Sequence, residues 1–140
     1  MDSNGSEPNR ADARLWLQVP AEASQLSSIR RSVRSYVAAR GGDAEVVDDL
    51  ELVVSELATN VIEHTDSPTL TITVDRIDDD WVLEVSDVDD LDILDDVALP
   101  DAGELAGRGL FVVAALVDDI RIVDNAGRRA LRCRRRVARV

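Results

Sequence analysis

The sequence predicts an α+β fold, a two-layer sandwich with helices laid against a sheet. Three observations lead there. Apolar residues recur at helical spacing through two consecutive segments between residues 26 and 61. From Leu70 the period becomes two, the signature of a strand with one buried face. The coarse order is strand, helix, helix, strand, strand, loop, helix, strand, strand, whereas a doubly wound sheet needs single strands alternating with helices. The 140 residues, 45% of them hydrophobic, suit one domain. A chain of that length buries about two-thirds of its unfolded surface, so it needs no disulfide or metal staple.

Residues 1–13 are polar and aperiodic, and are expected to form a loose tail ahead of a single domain over 14–136, with 137–140 as the C-terminal end. Leu15-Trp16-Leu17-Gln18-Val19 reads as a strand closed by Pro20. Leu26, Ile29, Val33, Tyr36 and Val37 define a first helix, stopped by Gly41-Gly42. Asp43 caps a second, whose stripe is Val47, Leu50, Val54, Leu57 and Val61 and which fades near Pro68. Leu70, Ile72 and Val74 mark a strand, Asp78-Asp79-Asp80 a turn, and Trp81, Leu83 and Val85 its partner. The acidic, aperiodic stretch 88–108 is expected to be a long loop, after which an apolar helix runs from Leu110 to about Val117. Two final strands, near 120–123 and 130–135, are joined by a turn at Asn125-Ala126-Gly127.

Composition removes several classes of function. A formal charge of −12 opposes general affinity for nucleic acid or anionic membranes. No apolar run approaches the roughly 20 residues that span a bilayer, and the N-terminus lacks a secretory signal, so a cytoplasmic protein is expected. Cys133 is the lone cysteine, excluding an internal disulfide and a cysteine zinc site, and at an inward strand position it reads as a small apolar residue. His64 is the lone histidine, which excludes a histidine metal cluster; at a helix end it suits the terminal carbonyls. All 16 basic residues are arginine, so no lysine is present to bind phosphate.

Chemistry concentrates in Glu56-Leu57-Ala58-Thr59-Asn60-Val61-Ile62-Glu63-His64. Glu56, Asn60 and His64, spaced by four, line one stripe beside the buried row of Leu57 and Val61. Asn60 offers a neutral oxygen for a hard cation such as Mg²⁺, and Glu56 a carboxylate to orient a hydroxyl for phosphoryl transfer. A solvated helix face is the competing reading of the same spacing. Asp87, at the end of a strand, suits either an exocyclic amine or an ordinary turn. Gly107 and Gly109 open the third helix, where backbone N–H groups can meet an anion or simply form a junction.

Together these segments resemble the GHKL superfamily of histidine kinase-like ATPases, in particular its anti-sigma-factor serine/threonine kinases. The stretch from Glu56 to His64 matches that family's N box, Asp87 after Val82 to Val85 its adenine-binding aspartate, and Gly107-Arg108-Gly109-Leu110 its second glycine box. The resemblance implies a Bergerat-type sandwich, a mixed, mostly antiparallel sheet with helices on one face and a lid loop. It implies ATP and Mg²⁺ as cofactors, with Asn60 on the metal, Glu56 as the base-like residue and Asp87 on the adenine amine. Gly107, Arg108, Gly109 and Leu110 would lie at the phosphates. Phosphorylation of an anti-sigma-factor antagonist and silencing of a sigma factor are the implied functions, with homodimerisation as a further expectation.

One departure from the family pattern leaves a second function class open. Val88-Asp89-Asp90-Leu91-Asp92 carries side chains where relatives place glycines, and Asp95, Asp96, Asp101 and Glu104 extend its charge. Such a lid repels a triphosphate, so a binding module that regulates by contact alone stands beside the kinase. The aspartates do not make a calcium loop, since Leu91 and Asp92 break its pattern. The C-terminal arginines, Arg132 and Arg134 among them, are expected on an exposed strand face balancing nearby carboxylates.

Overall fold

A computed structural model describes residues 14–64, 66–86, 108–125 and 128–136. The expected tail, all of the expected lid loop but Arg108, and the end 137–140 lie outside them, as do Ala126 and Gly127 of the expected last turn. The described elements are β1 (Leu15–Pro20), a 3-10 turn (Ala23–Gln25) leading into α1 (Leu26–Ala39), α2 (Ala44–His64), β2 (Thr69–Ile77), β3 (Asp80–Ser86), α3 (Arg108–Leu116), β4 (Asp119–Asn125) and β5 (Arg128–Arg136). Every expected helix and strand is present. The third helix begins two residues earlier than its apolar pattern, because helical backbone extends into Arg108 and Gly109.

The five strands form one sheet in the order β1-β2-β3-β5-β4. Each pairing is antiparallel, so among the described strands the expected mixed character is absent. Alternation decides the layers. Leu70, Ile72, Val74, Trp81, Leu83, Val85, Leu131 and Cys133 are buried against the helices, while Thr71, Thr73, Glu84, Arg132 and Arg134 face away. Asp78, with φ 57°, takes the left-handed conformation in the β2–β3 turn, which aspartate tolerates better than most residues.

Local chemistry sets the helix ends. After α1, Gly41 adopts φ 92° and its N–H donates to the Ala38 carbonyl at 3.2 Å, while the Gly42 N–H donates to the Val37 carbonyl at 2.9 Å. Those two bonds form a Schellman motif, which explains why the Gly-Gly pair is a stop. Asp43 then caps α2: its Oδ1 accepts from the Val46 N–H at 2.9 Å, a contact typically worth ~1 kcal/mol. Across the α1–α2 seam Arg34 reaches Asp48 at 2.9 Å and Glu51 at 2.6 Å, all exposed enough to contribute little.

The helix that carries Glu56 and Asn60 is extensively buried. α2 buries Val46, Val47, Leu50, Val53, Val54, Leu57, Ala58 and Val61, against Ile29, Val33 and Val37 from α1. At roughly 1.5–3 kcal/mol for each large apolar side chain, this burial holds α2 against the sheet, although apolar contacts alone do not fix its rotation.

Candidate functional site

Chain direction brings one end of the sandwich together. α3 ends at Leu116, and β4 starts at Asp119 opposite Arg134, at the end of the sheet where Asp80 pairs with Arg136. The start of α3 at Arg108 therefore lies at the opposite end. There β3 finishes at Ser86, paired with Thr71, and α2, having run up from the Asp80 end, carries Asn60 and His64. α3 packs beside α2. Glu56, Asn60 and the first turn of α3 (Arg108, Gly109 and Leu110) are thus brought to one end of the helical layer. Asp87 and Gly107 lie outside the described residues, each next in the chain to a described residue at that end.

Glu56 and Asn60 are half-buried, at the margin between the buried row of Leu57 and Val61 and solvent. Among the described residues no side-chain hydrogen bond or ion pair engages either. The backbone beneath them is well tied: Thr59 Oγ1 donates to the Ser55 carbonyl at 2.7 Å, and Arg30 Nη1 to Ser55 Oγ at 3.3 Å. His64 is the exposed last residue of α2, suited to its terminal carbonyls, and it does not share the half-buried setting of the other two.

The donor set fits magnesium better than a dedicated metal cage. Among the described residues no three His, Cys, Asp or Glu side chains converge. Mg²⁺ usually keeps several waters and binds through one or two side-chain oxygens plus phosphates, a demand with which the half-buried Asn60 oxygen is compatible. A cavity of about 250 Å³ lies elsewhere, on the helix-free face of the sheet, between Thr73, Val82, Glu84, Arg132 and Arg134. There Arg132 pairs with Glu84 at 2.6 Å and Arg134 with Asp80, the charge balance expected of that strand face.

Sequence reasoning missed Arg135. It shares strand parity with Leu131 and Cys133, is 1% exposed and points into the helical layer. Cys133 is buried as expected, and burial, helped by Asp119, pushes its thiol up to about 12.

A five-stranded antiparallel sheet with helices on one face and a polar helix stripe at one end defines a class of fold, and comparison with known proteins names it. Residues 19–135 match the histidine kinase-like ATPase domain, and the chain belongs to that family. The serine-protein kinase RsbW of Listeria monocytogenes is 28% identical over 128 residues, spanning 81% of this chain and 82% of the relative. Its counterpart in Listeria innocua is 27% identical over the same length and the same shares of both chains. Among solved structures, the SiaB-SiaC complex from Pseudomonas aeruginosa aligns at TM-score 0.65 and 17% identity, over 96% of this chain and 98% of the other. The RsbU and RsbW domains of a Mycobacterium tuberculosis protein align at TM-score 0.65 and 20% identity, over 89% of this chain and 32% of that one. These structural likenesses carry the fold.

Proposed function

We propose that this chain is an ATP-binding regulator of the anti-sigma-factor type. It phosphorylates a serine or threonine of an anti-sigma-factor antagonist and so controls how much sigma factor is available. The observation that carries the reading is the pair Glu56 and Asn60, half-buried one turn apart on the long, extensively buried α2, in a chain that matches the ATPase domain from residue 19 to 135. Similarity to the serine-protein kinase RsbW supports the choice of acceptor.

Asn60 would hold Mg²⁺ through its side-chain oxygen. When bound, the ion supplies neutralisation of phosphate charge. Glu56, one turn earlier, orients the acceptor hydroxyl and takes its proton as the phosphoryl group departs from ATP. Asp87 accepts a hydrogen bond from the adenine amine. The backbone N–H groups of Gly107 and Gly109, flanked by Arg108 and Leu110, meet the phosphates at the start of α3, where the helix dipole favours negative charge.

Titration calorimetry with ATP, with and without Mg²⁺, tests the reading. Binding that needs Mg²⁺ and is lost in Asn60→Ala is the expected result. Equal binding by both proteins, or no binding by the unmodified one, overturns it. Binding without labelling of any antagonist leaves regulation by contact alone.

The reading places the protein in the cytoplasm, acting on protein partners without touching nucleic acid or membrane. Among the described residues no helix is long and apolar enough to cross a bilayer. A homodimer would form through the helix-free sheet face, where Trp16 is 56% exposed and Ile77 51%. Sedimentation analysis of Trp16→Asp against the unmodified chain checks it, dissociation of a dimer being the expected result.

A further inference from the structure

Arg135 is, after Trp81, the largest fully buried side chain among the described residues, and the nucleotide chemistry does not use it. Its Nε and Nη2 donate to Asp49 Oδ2 at 3.1 and 2.9 Å, and its Nη1 donates to the Arg136 carbonyl at 2.6 Å. Glu45, itself 70% exposed, stands 3.8 Å away. Trp81, fully buried, is its direct cross-strand neighbour. The guanidinium thus ties the interior strand β5 to the N-terminal half of α2.

Stability alone gives little reason for such a pair. Well-packed apolar side chains in place of a buried ion pair are often neutral or stabilising. What the arginine fork supplies is direction, because its donors lie in a fixed plane. The apolar contacts of α2 are non-directional and tolerate small rotations about its axis. Arg30 and Arg34 hold the other flank of α2 through Ser55, Asp48 and Glu51, in exposed or half-exposed contacts that constrain it weakly.

Asp49 precedes Glu56 by seven residues and Asn60 by eleven. At 3.6 residues per turn both fall within about 20° of Asp49 around the helix axis, roughly 10 and 16 Å further along. A rotation of about 20° would swing side-chain atoms at a radius of ~5–6 Å through about 2 Å. A displacement of that size is enough to misplace a metal ligand and a base.

We propose that Asp49 and Arg135 are positioning residues: their buried pair pins the rotation of α2 and thereby aims Glu56 and Asn60. The consequence for nucleotide rests on the ATP reading above, whereas the pin itself does not. The test uses the full chain carrying Asp49→Leu with Arg135→Met, which removes both charges together, and a second variant, Arg135→Lys, which keeps the charge and loses the fork.

Backbone amide signals of Glu56 and Asn60 are followed by NMR without nucleotide, the thermal midpoint is recorded, and ATP affinity with Mg²⁺ is measured. The expected result is a folded double variant with an unchanged or higher midpoint, displaced Glu56 and Asn60 signals, and affinity lowered about tenfold. Arg135→Lys shifts the same signals by a smaller amount, and it carries the test if the double variant does not fold. Unmoved Glu56 and Asn60 signals in the folded variants overturn the proposal, as does unchanged affinity in a double variant of unchanged midpoint. Displaced signals in a protein whose unmodified form binds no ATP uphold the pin and remove the nucleotide reading instead.

Discussion

Gly42 lies so near Val37 that a β carbon on it would stand 2.4 Å from Val37 Cγ1 and 3.0 Å from the Val37 carbonyl oxygen. The glycine closes α1 by donating its N–H to that same oxygen, so the close approach and the helix stop are one feature. Trp81 lines a third side, with its ring at ordinary contact distance, 3.5 Å, from the same point.

Gly42→Ala should therefore destabilise the fold by about 1–3 kcal/mol, the range for overpacking a well-filled interior. The nearest obstacle is a methyl of the β-branched, fully buried Val37, backed by that residue's own carbonyl, and neither has room to move aside. Urea unfolding followed by circular dichroism reads the change directly. Gly41→Ala, strained by φ 92° in open surroundings, should cost about 1–2 kcal/mol through conformation alone.

Cys133 links stability to pH. Its thiol is raised from 9.0 to about 12 by burial first and by Asp119 second. The unfolded chain then releases its proton near pH 9 while the folded chain keeps it, so the unfolded state binds fewer protons in that window. Stability from this group is fully present below pH 9 and falls by about 1.4 kcal/mol per pH unit from there towards pH 12. Unfolding free energies at pH 8, 9 and 10 should show this slope in the natural chain and lose its Cys133 component in Cys133→Ala. Iodoacetamide should label the thiol only after denaturation.

Glu56→Gln separates binding from transfer. The amide keeps the shape of the carboxylate and loses its charge, so ATP affinity should change little. Phosphoryl transfer to the antagonist should fall ~10²–10⁴-fold, the usual contribution of a positioned general base. Transfer assays with labelled ATP check it; a variant as active as the unmodified protein assigns the proton to another group.

Charge in the run Asp89, Asp90 and Asp92 sets a third functional expectation, argued from sequence because these residues lie outside the described ones. A magnesium-bound triphosphate carries about two negative charges. At ~10 Å each unit pair costs ~0.4 kcal/mol in water and ~0.15 kcal/mol with physiological screening. Three carboxylates against two charges give ~0.9 kcal/mol, so Asp→Asn at all three should tighten ATP binding roughly fivefold. The gain should be larger at low salt, and calorimetry across a salt series reads it.

Features decided by near neighbours in the chain are the ones legible in the sequence. Asp43 as a cap, Gly41-Gly42 as a stop and the alternation of Leu70, Ile72 and Val74 each depend on only a few residues, and all three hold. The N box places Glu56 and Asn60 on one stripe for the same reason. Arg135 is half legible: parity with Leu131 and Cys133 puts it on the inner face, against the expectation that charge seeks solvent. Its partner Asp49 is 86 residues away, and no local pattern links the two. Strand order is equally hidden, since the placement of β5 between β3 and β4 depends on which edges meet after the chain has turned back.

That placement also sets a timetable for synthesis. β5 is the last described strand in the chain, yet it sits inside the sheet, between two strands made before it. On a ribosome working at ~5–20 residues per second, the 86 residues from Asp49 to Arg135 take roughly 4–17 seconds to appear. Throughout that interval Asp49 lacks the Arg135 guanidinium, and Leu83 and Val85, once made, lack the β5 strand beside them. The nascent chain therefore exposes an unpaired β3 edge until its C-terminal strand emerges, a window in which a chaperone that covers strand edges would act.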